Sequence, residues 1–227
     1  MIHELRIYQV GAGRMADMDA MMSRDCTPVF KRHRIPRPCG AWVAGAGPRL
    51  PAYLWMLPWD SLEERNRGWA AFGADPEWQQ IRRKAHEQGE LTVRIDTQFL
   101  AAWPEIALPA GADLAPAGAA VDLWLMRIHT GLGGAARKGF LEADRPVLES
   151  LGARVDAAFD LLSGEELPVA ACFVRWPGAA QRHDVLARYE AHPEVRAARA
   201  KERAAQGCDV FVACDRYAMQ SASAFGA

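Results

Sequence analysis

Polar and aliphatic side chains alternate at the start of the chain and again near residue 95. In residues 2–9 the aliphatic positions are Leu5 and Ile7, and they alternate with Glu4, Arg6 and Tyr8. Residues 91–100 show the same alternation, with a polar face made of Thr92, Arg94, Asp96 and Gln98. A period of two is typical of a strand whose faces have different environments. The pattern therefore predicts two half-buried strands.

The segment between these strands contains clear signals for helices and turns. Apolar residues recur at helical spacing before Pro28, which should kink or restart the helix because proline has no backbone N–H. Ser61 begins a capping box, and Asp75 precedes a proline at a first helical position. The predicted elements are a helix over 14–33, strands over 40–44 and 52–57, and helices over 61–72 and 75–88. The order is βαββαβ.

The second half of the chain repeats this order. Strands are predicted over 122–129, 153–160, 169–176 and 209–219, with helices between them. Special residues recur 117 or 118 positions later, as in Pro28 and Pro146, or Trp59 and Trp176. Such agreement in one register indicates a duplication. We predict a first repeat over 1–102, a Pro-, Ala- and Gly-rich linker over 103–120 and a second repeat over 121–220.

A βαββαβ unit places its helices on one face of a four-stranded antiparallel sheet and leaves the other face uncovered. Two tandem units can bury these faces against each other. The predicted fold class is therefore α+β, with two ferredoxin-like repeats forming an intramolecular, pseudo-dimeric barrel with helices outside. The alternative is two independent domains that each dimerise with another chain. An intramolecular barrel is favoured because an uncovered apolar sheet face is costly.

Strand parity then predicts which side chains line the barrel. If the aliphatic faces meet the helices, the polar faces point inward. In the first half these are Glu4, Arg6, Tyr8, Thr92, Arg94, Asp96 and Gln98, and in the second half Asp122, Trp124, Met126, Asp209, Phe211, Ala213 and Asp215. A cavity with one polar and one apolar wall suits a ligand. A satisfied ion-pair network is the alternative.

Composition narrows the possible partners and compartments. The net charge is −1, so no global basic field attracts nucleic acid or an anionic membrane surface. The five cysteines lack CxxC spacing, which favours reduced thiols in a cytoplasmic protein. A strand pattern begins at Ile2, which leaves no room for a signal peptide, and no apolar run is long enough to span a membrane. We expect a cytoplasmic protein with a small-molecule ligand.

The polar strand residues are the main candidates for chemistry. Arg6 can bind a carboxylate or enolate oxygen, and Tyr8 can donate a proton or hydrogen bond. Arg94 and Asp96 can complete an acid–base or anion-binding group. The predicted substrate-binding residues are Glu4, Thr92, Gln98, Trp42, Trp55, Trp124, Met126 and Phe211.

The sequence gives no strong signal for a cofactor. No histidine pair has metal-ligand spacing, and the Gly11-x-Gly13 turn lacks the third glycine of a dinucleotide site. We therefore expect neither a metal nor a tightly bound nucleotide. Haem ligation by His33 or His86 is an alternative, although cations near helix ends are also favourable without a ligand.

Four segments resemble the NIPSNAP family: ELRIY at 4–8, FKRH at 30–33, WDSLEER at 59–65 and DPEW at 75–78. The resemblance covers residues 2–101. The second half looks like a worn copy that keeps HPE at 192–194 but lacks the Arg and Tyr of its first strand. The resemblance implies the dimeric α+β barrel fold, whose superfamily includes monooxygenases, haem-degrading enzymes, isomerases and cyclases. It does not imply one chemistry.

These observations lead to three functional expectations. The preferred one is a cofactor-independent enzyme of isomerase, cyclase, lyase or monooxygenase type, acting on a small carbonyl- or carboxylate-bearing molecule in the barrel cavity. The second is a non-catalytic binding or interaction protein. The third is a haem-binding barrel. A homodimer of pseudo-dimers is compatible with each of them.

Overall fold

The computed structural model describes residues 1–106, 108–109, 111–164 and 166–223. Two successive βαββαβ units follow one another along the chain. The first contains β1 (Ile2–Val10), α1 (Met15–Ala20), α2 (Thr27–Arg32), β2 (Gly40–Ala46), β3 (Ala52–Trp59), α3 (Leu62–Ala74), α4 (Pro76–His86) and β4 (Thr92–Ala102). The second contains β5 (Ala120–Ile128), α5 (Gly133–Gly139), α6 (Arg145–Ser150), β6 (Arg154–Leu161), β7 (Val169–Arg175), α7 (Arg182–Ala191), α8 (Pro193–Gln206) and β8 (Phe211–Ser221).

The eight strands form one closed antiparallel barrel in the order β1-β3-β2-β8-β5-β7-β6-β4. The two units join where β2 pairs with β8 and where β4 pairs with β6. Closure removes most of the open sheet edges that each unit would have alone. The predicted intramolecular α+β barrel is confirmed.

Local signals explain where the helices begin and break. Ser61 accepts a hydrogen bond from the Glu64 backbone N–H, and Asp75 caps α4 in the same way. Before Pro28 the first helix changes to a π-helical turn over Met21–Asp25. Proline at this position lacks the N–H that a continuous α-helix needs, so the turn widens. The second repeat has the same interruption over Phe140–Asp144, just before Pro146. None of the described helices is long and apolar enough to cross a membrane.

Most of the barrel interior is a packed apolar core. Leu5 and Ile7 are buried there with Phe159 and Phe173 of the second repeat. The prediction that these aliphatic residues face the helices is therefore wrong. The interior of an eight-stranded barrel is just wide enough to be filled by side chains, so the apolar faces of most of the strands pack there. The opposite face of β1 meets the helices, where Glu4 is ion-paired with Arg6 and Arg65.

Five residues that were predicted to line the barrel face the helices instead. They are Glu4, Arg6, Tyr8, Trp124 and Met126. Two more, Thr92 and Phe211, are turned to the helix side because a register shift occurs where β4 and β8 begin. Asp122 lies with Trp124, and Asp209 is bound to Arg203 at the surface.

The polar side of β4 does face the barrel, near one of its ends. Asp96 pairs with Ile7, and Gln98 pairs with Leu5, so each shares the barrel-facing side of its β1 neighbour. Asp215 of β8 is placed similarly, opposite Leu125. Parity alone did not reveal that β1 and β4 turn their polar residues to opposite sides of the sheet.

The predicted linker is packed against the barrel. The Leu114 N–H donates to the Cys39 carbonyl at 2.7 Å, and the Leu114 side chain is buried with the barrel core. The Trp103 backbone N–H donates to the Ala158 carbonyl oxygen at 2.8 Å. Residues 107 and 110 of this segment lie outside the described part. The exact domain bounds stay a prediction, but the connection contributes to the core instead of acting as a free tether.

One buried ion-pair arrangement occurs in both repeats. The Glu4 carboxylate accepts from Arg65 of α3 at 2.8 and 3.2 Å. The Asp122 carboxylate, 118 positions later, accepts from Arg182 at the start of α7 at 2.6 Å on each oxygen. Both carboxylates are fully buried. Each pair fixes the first strand of its repeat to the first helix after the β-hairpin.

We predict that Glu4→Gln lowers the free energy of unfolding by about 2–4 kcal/mol, because Arg6 and Arg65 lose their buried partner. Urea unfolding measures this change. Glu63→Gln is the control, since Glu63 is exposed and lies 3.7 Å from Arg67; its effect should stay below about 0.5 kcal/mol. Equal effects of the two substitutions would contradict this assignment.

We also predict a pH-dependent contribution from His3. Burial, and secondarily the charge of the amino terminus, lower the pKa of His3 from 6.5 to about 4. Between these values the unfolded chain binds more protons than the folded one, so stability falls as pH decreases, by at most about 3 kcal/mol. His3→Phe should flatten the urea midpoints between about pH 7 and about pH 4.5. Parallel profiles for the two proteins would exclude this contribution.

Candidate functional site

A cavity of about 440 Å³ lies between the sheet and the helices of the first repeat. We call it the aromatic pocket. Its walls include the rings of Phe30, Trp55, Trp69, Phe72 and Trp78. Its polar groups are Arg6, Tyr8, Thr92, Arg82, His86 and Arg94. The volume falls within the usual range for small-molecule sites.

The aromatic rings contact one another and form a connected wall. Phe30 stacks on Trp55 with centroids 5.6 Å apart. Trp69 meets Trp55 edge to face at 6.0 Å, and Phe72 lies 4.5 Å from Trp78. These rings come from α2, β3, α3 and α4. Aromatic pairs of this kind prefer offset or edge contacts, so an additional flat ring fits the same packing.

Arg6 is held rigidly within this wall. Its Nη1 donates to the Glu4 carboxylate at 2.7 Å, and its Nε donates to the Tyr8 hydroxyl at 3.0 Å. The guanidinium also lies 4.7 Å from the centroid of Trp69. A cation over an aromatic face is stabilised by the ring quadrupole. The charge is therefore fixed in position and shielded from solvent.

The Glu4 carboxylate, which holds Arg6, also accepts hydrogen bonds from neighbouring side chains. Besides Arg6 and Arg65, it accepts from the indole N–H groups of Trp59 at 2.8 Å and Trp69 at 3.0 Å. Burial alone would raise the pKa of Glu4, but the hydrogen bond from Arg65 and the charge of Arg6 lower it below its ordinary value. Glu4 is thus an ionised carboxylate whose oxygens are occupied, and it acts as a positioning residue.

Tyr8 has the opposite protonation preference. Burial raises the pKa of its hydroxyl, and the neighbouring Arg6 cation offsets only part of that rise. The hydroxyl is therefore neutral at physiological pH. Because it accepts from Arg6, its own proton can be donated to a ligand oxygen. Arg6 and Tyr8 together form a compact anion-stabilising pair.

The pocket lacks an obvious strong base. Among the described residues that line it, none is an aspartate or glutamate. Burial raises the pKa of the Cys26 thiol to about 12, so this side chain is a protonated thiol and not a nucleophile. His86, exposed at the rim, is the one lining histidine of the described residues. The geometry suits charge stabilisation better than carboxylate general-base catalysis.

The four residues predicted to be catalytic are divided between two cavities. Asp96, Gln98 and Arg94 line a second cavity of about 340 Å³ at one end of the barrel, which we call the barrel mouth. There Asp96 forms ion pairs with Arg49 and, at 2.7 Å, with Arg94. Arg94 lies at the boundary and also lines the aromatic pocket. Their functional roles stay predictions.

The predicted binding residues are divided as well. Trp55 and Thr92 line the aromatic pocket. Trp42 is buried inside the barrel, stacked on Phe173 at 5.1 Å. Trp124, Met126 and Phe211 pack under the helices of the second repeat. Phe30, Trp69, Phe72 and Arg82 also line the aromatic pocket, and no sequence pattern singled them out as site residues.

The matching space of the second repeat is occupied by its own side chains. Asp144 accepts from the Tyr189 hydroxyl at 2.6 Å and is ion-paired with Arg199. Tyr189 also packs on Trp124 with centroids 5.5 Å apart. At the positions of Trp124 and Met126, 118 residues earlier, the first repeat has Arg6 and Tyr8. The duplication has therefore kept the fold in both halves while the polar pair lies in one.

The two histidines considered for haem differ in environment. His33 Nε2 is 2.7 Å from an Asp75 oxygen and is not among the residues that line the aromatic pocket. Only His86 of the two reaches the pocket. No three histidine, cysteine, aspartate or glutamate side chains cluster as metal ligands in the described part of the chain.

Known structures share this fold over the whole chain. A proposed monooxygenase from Lactobacillus acidophilus NCFM aligns with 98% of this chain and 94% of its own, with a TM-score of 0.59 and 4% identity. An anthrone oxidase-like protein aligns with 100% and 94%, with a TM-score of 0.51 and 12% identity. Identities this low show the fold alone.

Comparisons with single NIPSNAP domains cover about half of the chain. An uncharacterised NIPSNAP-like domain protein from Burkholderia xenovorans is 27% identical over 45% of this chain and 85% of its own, with a TM-score of 0.41. No curated protein matches the chain. The NIPSNAP family model matches residues 3–104, which contain all four strands of the first repeat and most of the pocket wall. Residues 3–104 of the chain are therefore similar to a NIPSNAP domain.

Proposed function

We propose that the chain is a cofactor-independent enzyme that binds a planar, carbonyl-bearing molecule in the aromatic pocket and stabilises its enolate or phenolate form. The observation that carries this proposal is the buried Arg6–Tyr8 pair within a wall of aromatic rings. Arg6 supplies a permanent positive charge, and Tyr8 supplies a neutral O–H donor. Both are fixed by Glu4 before a ligand arrives.

Fixed donors stabilise a developing oxyanion strongly in a site that excludes water. They need no reorganisation during the reaction, and the low local dielectric strengthens each contact. Isomerisation, cyclisation, some lyase reactions and cofactor-free oxygenation share an enolate- or phenolate-like intermediate. The geometry supports this shared step and does not distinguish between the reactions that follow it.

The absence of a lining carboxylate among the described residues restricts the substrate. A molecule whose C–H or O–H is already acidic, because the resulting charge spreads over a ring and a carbonyl, needs only a weak base such as His86 or water. Polycyclic aromatic ketones and phenols have this property. The fold neighbour named as an anthrone oxidase-like protein suggests anthrone as a suitable probe for this chain.

A binding protein without chemistry is the second candidate. It is favoured by the complete hydrogen bonding of Glu4, which leaves the pocket with stabilising groups but no dedicated carboxylate base. On this alternative the ring wall and Arg6 retain an aromatic ligand without changing it. The two candidates differ in whether a bound probe exchanges its acidic hydrogen.

Deuterium exchange into the ring methylene of anthrone tests the proposal. We expect the chain to accelerate exchange in D₂O under nitrogen, and we expect Tyr8→Phe to reduce this acceleration about tenfold to a hundredfold by removing one oxyanion donor. Mass spectrometry measures the exchange. Exchange at the buffer rate, with anthrone bound as shown by tryptophan fluorescence, would support the binding protein instead.

The same probe under air tests the monooxygenase branch. One O₂ would be consumed, the methylene would lose two hydrogens and gain one oxygen atom to give anthraquinone, and the second oxygen atom would leave as water. Anthraquinone formation above the buffer rate assigns this branch. Exchange without quinone formation assigns an isomerase-type or related reaction.

Thr92→Phe provides a pocket-filling variant. Phe211 stands at the matching point of β8, opposite Ile128 as Thr92 is opposite Val10, so the repeat architecture accommodates a ring there. We predict that Thr92→Phe keeps its thermal midpoint within a few degrees of the wild type and weakens anthrone binding at least about tenfold. Unchanged binding in this folded variant would place the ligand site elsewhere.

A further inference from the structure

An arginine that occurs at matching positions in both repeats has an acidic partner in only one of them, among the described residues. Arg199 of α8 forms an ion pair with the buried Asp144. The matching arginine of α4 is Arg82, 117 positions earlier, but at the position of Asp144 the first repeat has Cys26. Arg82 and Cys26 both line the aromatic pocket. The first repeat thus keeps the cation and lacks the acid that would neutralise it.

Arg82 has no replacement partner within the described part of the chain, where neither a hydrogen bond nor an ion pair involves its side chain. Glu87, at the end of the same helix, lines a depression together with Arg82, but no ion pair joins the two among the described residues. A cation at a pocket wall without a protein anion is available for an anion from outside. Arginine is well suited to this because its planar fork can bind two oxygens of a carboxylate, sulfonate or phosphate.

Other basic side chains lie beside Arg82 and form a basic surface with it. A second depression of about 290 Å³ is lined by Arg82, Arg83, His86 and Glu87. We call it the basic shelf. Arg82 and His86, four residues apart on one face of α4, line both the basic shelf and the aromatic pocket. The two depressions therefore adjoin at these two side chains.

The opposite edge of the aromatic pocket is apolar. Val93 and Ile95 of β4 line it and remain 51% and 47% exposed. The strand side of the entrance thus has these two apolar side chains, with Arg94 between them paired to Asp96, and the helix side has Arg82 and His86. A neutral aromatic ligand would leave the cationic side of the entrance without a partner.

We propose that the ligand of the aromatic pocket carries an anionic group outside its ring system, which is bound on the basic shelf by Arg82 with Arg83 and His86. The group is a carboxylate, sulfonate or phosphate. This inference rests on the proposed function only in requiring that the aromatic pocket binds an aromatic ring. It narrows the substrate class to aromatic molecules with an acidic substituent.

Two fluorescent probes with the same ring scaffold test the inference. 8-Anilinonaphthalene-1-sulfonate carries one sulfonate, and N-phenyl-1-naphthylamine lacks it. We expect the sulfonate to bind the full chain about tenfold more tightly at low salt. Arg82→Gln should abolish this preference and leave the affinity for the neutral probe unchanged within about twofold. Because the whole chain has a net charge of −1, such a preference must be local.

Lys84→Gln is the matched control. It removes the same charge from the same helix, but Lys84 lines a different groove, beside α1. It should keep the sulfonate preference. Thr92→Phe should weaken both probes, which locates them in the aromatic pocket.

The outcomes separate the two proposals. Equal binding of the two probes, or an equal loss of preference in Arg82→Gln and Lys84→Gln, overturns the basic shelf while the aromatic pocket stands. If Thr92→Phe leaves the affinity for both probes unchanged, or if neither probe binds, both the basic shelf and the aromatic pocket are overturned as binding sites. A preference for the sulfonate that disappears only in Arg82→Gln supports the inference.

Discussion

The buried Glu4 carboxylate is the interaction on which the site depends. It is a full charge without solvent exposure, so it must be satisfied by donors from the protein. Arg65 brings α3 onto the sheet to supply two of them, and Trp59 and Trp69 supply two more. The remaining contact fixes Arg6, which in turn holds Tyr8. One desolvated charge thereby sets both the helix position and the orientation of the anion-stabilising pair.

The second repeat shows that this anchor and the pocket are separable. Asp122 and Arg182 reproduce the strand-to-helix ion pair, so the fold is retained. Above it, Trp124 and Tyr189 pack together, and Arg199 is neutralised by Asp144. The physical difference is small: one repeat satisfies its inner cation with a carboxylate, and the other places a thiol there. That difference leaves a cation available in the first repeat alone.

The sequence predicted the elements well because their signals are local. Alternation located β1 and β4, the caps Ser61 and Asp75 began the two long helices, and the recurrence of Trp59 as Trp176 indicated the duplication. Local sequence patterns do not show which face of the sheet is buried inside the barrel. A period of two shows that Leu5 and Arg6 face opposite ways, but which side becomes the deeper core depends on how both sheets close.

The composition of the pocket was equally hidden from sequence patterns. Its rings come from four separate elements, and the turn of Thr92 toward the helices depends on a register shift in β4. Arg6 and Tyr8 were identified because strand alternation put them on the polar face of β1, which was expected to line a cavity. Arg94 and Asp96 carried the same signal, yet the pairing of Ile7 with Asp96 puts them on the other side of the sheet. Which of these side chains share a cavity therefore depends on the strand register.

A crystal structure of the chain soaked with anthrone would show whether ligands bind between the sheet and the helices of the first repeat. We expect one anthrone per chain, with its rings against Trp69 and its carbonyl oxygen within hydrogen-bond distance of Tyr8 or Arg6. Anthrone at the barrel mouth, beside Arg49 and Asp215, with the aromatic pocket empty, would contradict this expectation.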